Sequence, residues 1–368
     1  MKKSGQAKTV LLLYISVGQG HARAARALGS ALRRADPGLR VVEFDILELW
    51  DPRPVRALAA AYRLLLTVWP GVYDQGTVRG RVAAPLKRFY RRQCHRLDDL
   101  MADLSPAATV CTQALPAGLA AAWKQVSGSR MRLVAVPTDY LVHGYWVDEG
   151  IDLFLLPSRE AQVRLAALGA PPERLKITGI PASLRFGSKS DPEAIRNKYG
   201  FGPGPIVLVM GGGEGQGNLL KLVGELEAAA AEFQTVAVTG RNYRLLARLK
   251  RLRTARPLHV FGFIDSIDEL MEIADVIVSK PGGLTVTEAL IKQVPMVLVD
   301  PIPGQETGNA LFLQAEGAAL KAAGKRQAAE MVASILGDAD TARKMREAAG
   351  RLRRPRAAQD AADLILTG

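Results

Sequence analysis

Ser279-Lys-Pro-Gly-Gly-Leu-Thr-Val-Thr-Glu-Ala-Leu290 follows the apolar run Asp275-Val-Ile-Val278, and Pro301-Ile-Pro-Gly-Gln-Glu-Thr-Gly-Asn309 follows Val294-Pro-Met-Val-Leu-Val299. In each stretch glycine stands between a strand-like run and a helix-like one. Strand, tight turn and helix form the unit from which parallel α/β sheets are built. The arrangement aims the open N–H groups of two helix starts at one crevice. A helix start with glycine in its turn lets a ligand approach the backbone, which makes a seat for a diphosphate. Glu288, about one turn into the first helix, is placed to accept hydrogen bonds from a ribose. The pair reads as a nucleotide-sugar site.

Outward from these segments the same alternation continues. Strand-like and helix-like runs alternate at Val10–Val17, Ala22–Arg34, Val41–Phe44, Ala108–Cys111, Ala117–Lys124, Arg132–Pro137, Asp152–Leu156, Glu160–Leu168 and Lys176–Thr178. A second series begins at Ile206–Met210. A helix follows with Leu219, Leu222, Val223 and Leu226 on one face, then strands at Thr235–Val238, Leu258–Phe261, Val276–Val278 and Met296–Val299. The polar, proline-bearing stretch Ile180–Asp191 marks the joint. The expected architecture is α/β, with two Rossmann-like doubly wound domains facing a central cleft. The expected boundaries are 1–185, 186–345 and a C-terminal helix over 346–368 that crosses back to the first domain.

The chain has 368 residues, with 49 Lys and Arg against 36 Asp and Glu, a net charge of +13. Such a field favours nucleic acid, acidic substrates or an anionic membrane, and says nothing about fold. Cys94 and Cys111 form neither a metal spacing nor a disulfide framework. No apolar run approaches the ~20 residues that cross a bilayer. Lys2, Lys3 and Lys8 before Thr9–Val17 imitate a short signal peptide, with Ala22-Arg-Ala24 as a cleavage site. The helical spacing of Ala24, Ala25, Leu28, Ala31 and Leu32 favours instead a buried first strand feeding a helix.

Ser16-Val-Gly-Gln-Gly-His21 sits where that strand ends, so His21 is expected to project from the carboxyl edge of the sheet, where ligands of such sheets bind. A dinucleotide fingerprint fails here because Arg23 stands where a small residue is required. Gly211-Gly-Gly-Glu-Gly-Gln-Gly217 follows a buried strand and lacks the Lys-Ser/Thr of a Walker loop. It suits phosphate contact or close strand–helix packing. In Thr138-Asp-Tyr-Leu-Val-His-Gly-Tyr-Trp146, Asp139 and His143 are four apart. They read as a carboxylate–imidazole pair or as a turn capped by Asp139 with Trp146 in the core. A metal site is not expected, since four histidines at these spacings supply too few ligands. From Pro52 to Arg96 the chain carries Arg53, Arg56, Arg63, Arg79, Arg81, Lys87, Arg88, Arg91, Arg92 and Arg96, interleaved with Tyr62, Leu64–Leu66, Trp69, Tyr73, Phe89 and Tyr90. Arginine beside Trp and Leu suits an interfacial membrane segment.

Taken in order, Ser-x-Gly-x-Gly-His21, Thr-Asp139-Tyr…His143…Trp146, Thr178-Gly-Ile-Pro181, Gly211-Gly-Gly-x-Gly, Lys280-Pro-Gly-Gly-x-Thr-x-Thr-Glu288-Ala and Pro303-Gly-Gln-Glu306-x-x-Asn309 resemble one family. It comprises the monogalactosyldiacylglycerol synthases and processive diacylglycerol glucosyltransferases, in glycosyltransferase family 28, related to the N-acetylglucosaminyltransferase that forms lipid II. The resemblance runs from the first strand to about Leu320, and Gln19 and Glu214 fall at positions where such motifs vary. It implies a GT-B fold and inverting transfer from UDP-glucose or UDP-galactose to diacylglycerol, peripherally on the inner face of the cell membrane, with no cofactor or metal. The donor side is then Gly211, Gly212, Gly213, Gly282, Gly283, Leu284, Thr285, Glu288, Gln305, Glu306 and Asn309, with the uracil near Phe263 and Ile264. The acceptor and membrane side is Gly18, Gly20, His143, Trp146, Trp69, Arg88, Arg91 and Arg92. Inversion needs a base, for which His21 is the first candidate through its near-neutral pKa and Asp139 the second. Three alternatives remain: transfer of N-acetylglucosamine to a polyprenyl-linked lipid, a nucleotide-sugar epimerase of the same fold, and nucleic-acid binding. The glycine-led helix starts argue against the last.

Overall fold

The computed structural model describes residues 8–16, 19–50, 83–215 and 217–367. The chain divides into two units. One holds the described residues up to Ser183, with Pro303–Gln305 and the segment from Arg356. The other holds Leu184–Ile302 and Glu306–Pro355.

In the first unit six parallel strands take the order β2-β1-β3-β4-β5-β6: β1 Thr9–Tyr14, β2 Arg40–Asp45, β3 Ala108–Cys111, β4 Arg132–Ala135, β5 Leu153–Leu156 and β6 Leu175–Ile177. The N-terminal apolar run is thus an interior strand. It pairs on one side in the register Thr9↔Arg40 and on the other in the register Val10↔Ala108. Leu11, Leu12 and Leu13 are all buried, as an interior strand with both faces covered requires. Helix α1, Gln19–Ala35, buries Ala24, Ala25, Leu28, Ala31 and Leu32 and ends on Arg33 and Arg34, whose charges suit a helix C-terminus. It starts three residues before its apolar periodicity, so His21 lies within its first turn.

Of the basic, aromatic-bearing insertion expected over 52–99, residues 52–82 lie outside the described residues, and Trp69, Gly18 and the arginines at 53, 56, 63, 79 and 81 fall there or at the 17–18 gap. The remainder forms α2, Ala83–Gln93, followed by α3, Asp98–Leu104. Lys87, Arg88, Phe89, Arg91 and Arg92 of α2 are exposed, while Tyr90 is buried. Tyr90 packs on α4, Ala114–Ser127, at Gly118, where an added Cβ would stand 2.2 Å from its ring. That approach needs glycine. Cys94 and Cys111 are buried free thiols, and burial raises both pKa values. Helix α5, Arg159–Ala167, links β5 to β6.

In the second unit the order is β12-β11-β10-β7-β8-β9, again all parallel: β7 Ile206–Met210, β8 Gln234–Val238, β9 Leu258–Phe261, β10 Val276–Ser279, β11 Met296–Leu298 and β12 Ala319–Lys321. The helices are α6 Pro192–Tyr199, α7 Leu219–Glu227, α8 Tyr243–Lys250, α9 Ile267–Glu272, α10 Gly283–Lys292, α11 Gln305–Ala315, α12 Lys325–Gly337 and α13 Ala339–Leu352. β12 is not among the strands expected from the sequence. The single C-terminal helix expected over 346–368 is also corrected. Residues up to Leu352 belong to α13 in the second unit, and a separate helix α14, Ala357–Leu366, packs on α1. Pro355 separates the two, as a residue lacking an N–H and clashing with the preceding turn does. Arg132 donates to the Leu364 and Ile365 carbonyls at 2.9 Å each, closing the end of α14. Among the described residues no helix is long and apolar enough to cross a membrane.

Candidate functional site

Ligands of doubly wound sheets bind beyond the carboxyl ends of the strands where the strand order reverses. In the second unit that point lies between β7 and β10, whose ends lead into Gly211–Gly217 and Lys280–Gly283. Helix α10 begins at Gly283 with Gly282 as its N-cap residue. Glycine offers no capping side chain, and no side-chain cap bond forms. The first N–H groups of α10, at Gly283, Leu284 and Thr285, therefore carry the positive end of the helix dipole without a side-chain acceptor at the cap. Gly282 and Thr285 are half-buried, and Glu288 is buried one turn further on.

Two of the expected donor contacts have bracing roles in this geometry. Asn309 is fully buried, and its Nδ2 donates to the Pro281 carbonyl at 3.0 Å. Glu306 accepts the Ile302 N–H at 2.7 Å and stands 3.5 Å from Lys280 Nζ. Both hold the α10 and α11 turns to each other. Their amide and carboxylate are drawn inward because the turns carry buried backbone groups that need partners. Lys280, quoted in the motif but given no role by sequence reasoning, is the cation of that bracing. Gln305 opens α11.

The glycine loop after β7 leads into α7 through its cap Asn218, whose side chain accepts the Lys221 N–H at 3.1 Å. The loop also packs on the turn after β8: the Arg241 N–H donates to the Gly213 carbonyl at 3.0 Å, and Asn242 Nδ2 to the Gly215 carbonyl at 3.2 Å. A Cβ on Gly240 would stand 2.4 Å from the Gly213 carbonyl oxygen, and Gly240 has φ 55°. Gly211 is buried, whereas Gly212 and Gly213 reach the surface. Phe263 is 51% exposed with the Arg241 guanidinium 5.4 Å over its ring, and Ile264 is half-buried. Arg241 carried no sequence signal, since only the fold brings the two turns together.

In the first unit the order reverses between β1 and β3. Gly20 and His21 begin α1 there, and Thr112 follows β3. His21 Nδ1 lies 3.1 Å from the Thr112 carbonyl oxygen and 2.7 Å from Thr138 Oγ1. Burial pulls the imidazole below its ordinary value, and the nearby Asp139 carboxylate partly offsets that. The near-neutral pKa expected from sequence is thus corrected downward, because desolvation disfavours the charged ring. The ring is neutral at pH 7 and able to accept a proton.

Asp139 is half-buried, and its charge bears on His21. His143 and Trp146, expected on the acceptor side, are both buried. His143 is buried, with Tyr145 edge-on at 5.1 Å and Trp146 at 6.4 Å, and Trp146 belongs to the hydrophobic core. Burial pulls the His143 imidazole down to about 3, with Arg164 and His21 adding smaller effects. Of the two readings of residues 138–146, the one with Trp146 in the core matches its burial, and the one-turn helix Gly144–Trp146 folds that end of the segment inward.

Residues 21–182 match the family model described as monogalactosyldiacylglycerol (MGDG) synthase, and residues 206–365 match the glycosyltransferase family 28 C-terminal domain. The chain is 29% identical over 348 residues to the processive diacylglycerol beta-glucosyltransferases of Bacillus licheniformis and Bacillus subtilis, spanning 92% of this chain and 90% of each relative. It superposes on the crystal structure of Acinetobacter baumannii MurG with a TM-score of 0.64, at 16% identity, over 98% of this chain and 100% of that one. That likeness concerns the fold, which is of GT-B type. The protein is a hexosyltransferase. The chain thus carries, in order, a domain matching the monogalactosyldiacylglycerol synthase model and a glycosyltransferase family 28 C-terminal domain, and over most of its length it is similar to processive diacylglycerol beta-glucosyltransferases.

Proposed function

We propose that the protein transfers a hexose from UDP-glucose or UDP-galactose to the hydroxyl of diacylglycerol, inverting the anomeric carbon, while bound peripherally to the inner face of the cell membrane. The observation that carries this reading is the glycine-started helix α10 at the reversal point of its sheet, with first-turn N–H groups that suit a diphosphate. Glu288 takes the ribose hydroxyls, and the Phe263–Ile264 backbone takes the uracil. The loop Gly211–Gly213 approaches the phosphates.

His21 Nε2 takes the proton of the acceptor hydroxyl as its oxygen bonds to the anomeric carbon. The bond from that carbon to UDP breaks with its electron pair. The charge left on the β-phosphate falls on the N–H groups of Gly282–Thr285 and Gln305–Glu306, and no metal takes part. Asp139 favours the imidazolium formed. The relatives' names point to diacylglycerol, and the exposed basic face of α2 with Phe89 suits an anionic lipid surface.

The test supplies the purified protein with UDP-glucose, UDP-galactose or UDP-N-acetylglucosamine and vesicles containing diacylglycerol. The expected product is a β-linked hexosyl-diacylglycerol from one of the first two donors. An epimerised UDP-sugar, or donor turnover without glycolipid, would refute the reading.

A further inference from the structure

Beneath His21 lie two buried threonines whose arrangement carries an inference that rests on His21 being the base. The Thr112 carbonyl, 3.1 Å from Nδ1, can only accept, so Nδ1 carries a hydrogen. The Thr138 hydroxyl donates to that same carbonyl at 3.4 Å, which turns its lone pairs toward Nδ1 at 2.7 Å. Thr112 Oγ1 in turn donates to the His21 carbonyl at 3.1 Å. The start of α1, the end of β3 and the segment after β4 are thereby clipped together. Thr112 and Thr138 are 0% and 4% exposed, so bulk water does not replace either acceptor.

We propose that Thr138 is a positioning residue for the transfer step: with the Thr112 carbonyl it holds His21 in the Nδ1–H tautomer, which presents the Nε2 lone pair to the acceptor hydroxyl. The proton leaves the hydroxyl for Nε2, the new carbon–oxygen bond forms, and the electron pair of the broken bond departs on UDP. The Nδ1 hydrogen stays in place throughout, and both acceptors then face an imidazolium, which strengthens their bonds. Valine at 138 fills the same volume but offers no acceptor, so the chemistry of the hydroxyl is separable from its packing.

The experiment uses the full chain with ring-15N-labelled histidine, His21→Gln assigning the His21 signals. Wild-type His21 is expected as Nδ1–H with Nε2 unprotonated. Thr138→Val, which keeps the Thr112 carbonyl but removes the second acceptor, is expected to raise the share of the other tautomer without abolishing the Nδ1–H form and to lower kcat about tenfold, the effect of one hydrogen bond, with the KM for the UDP-sugar unchanged. Thr138→Ser is expected to restore both tautomer and kcat. A wild-type ring protonated at Nε2 overturns the proposal even if Thr138→Val does not fold. So does an unchanged kcat and tautomer in Thr138→Val when His21→Gln is inactive. Full turnover by His21→Gln instead removes the base reading itself, and the inference with it.

Discussion

Asn309 donates its side-chain hydrogen bond to the Pro281 carbonyl across 3.0 Å, tying the first turns of α10 and α11 to one another. The amide is buried and braces the two helix starts together with the Lys280–Glu306 pair. Replacing Asn309 with Ala leaves the Pro281 carbonyl without this donor, at a cost of about 1–3 kcal/mol in stability. UDP affinity should fall with it, because the bond fixes the turn that leads into α10. Urea unfolding and UDP calorimetry on the same variant check this; lost stability with unchanged affinity would separate the brace from the donor seat.

Glu288→Ala is expected to weaken UDP binding by roughly 1.5–3 kcal/mol, the value of hydrogen bonds to a charged group. Because Glu288 is buried, Glu288→Gln is the cleaner variant, keeping shape while removing charge. Unchanged UDP affinity in a folded Gln variant would exclude the ribose contact.

Loss of the base should show on turnover and not on donor binding. His21→Ala is expected to cost on the order of 10²–10⁴ in kcat while UDP affinity stays near wild type. The wild-type rate should rise with pH through the His21 pKa, which burial places below the ordinary 6.5, and then level off. Asp139 raises that pKa, so Asp139→Asn should move the acid limb to lower pH. A limb that moves upward would give Asp139 a different role.

Acid should destabilise the protein through His143. Its folded-state pKa is about 3 against an ordinary 6.5, so between these values the unfolded chain binds more protons. Stability is therefore lost as pH falls below 6.5, by about 1.4 kcal/mol per pH unit for this one group. His143→Phe should flatten that slope in urea titrations at pH 7, 6 and 5, and parallel slopes would show that other groups carry it.

Vesicle sedimentation tests the exposed face of α2. Arg88, Arg91 and Arg92 changed together to Glu should lower binding to anionic vesicles, each basic residue contributing about 1 kcal/mol, while UDP affinity is spared. Added salt should weaken wild-type binding in the same way. Equal sedimentation of variant and wild type would make the face ordinary solvated surface.

Apolar runs and glycine turns by themselves determined the strands β1–β11 and the two helix starts after β10 and β11. These are local properties: an interior strand must be apolar on both faces, and a tight strand–helix turn needs glycine. Which groups stand beside His21, Asn309, Glu306 and His143 was decided by the tertiary structure alone. Thr112 and Thr138 reach His21 across 91 and 117 residues of chain, and Asn309 reaches Pro281 across 28. Whether a histidine faces solvent, a threonine hydroxyl or an apolar core depends on which strand ends the sheet order brings side by side. Hydrophobic periodicity carries that order only as alternation; the neighbours of each strand are chosen by packing.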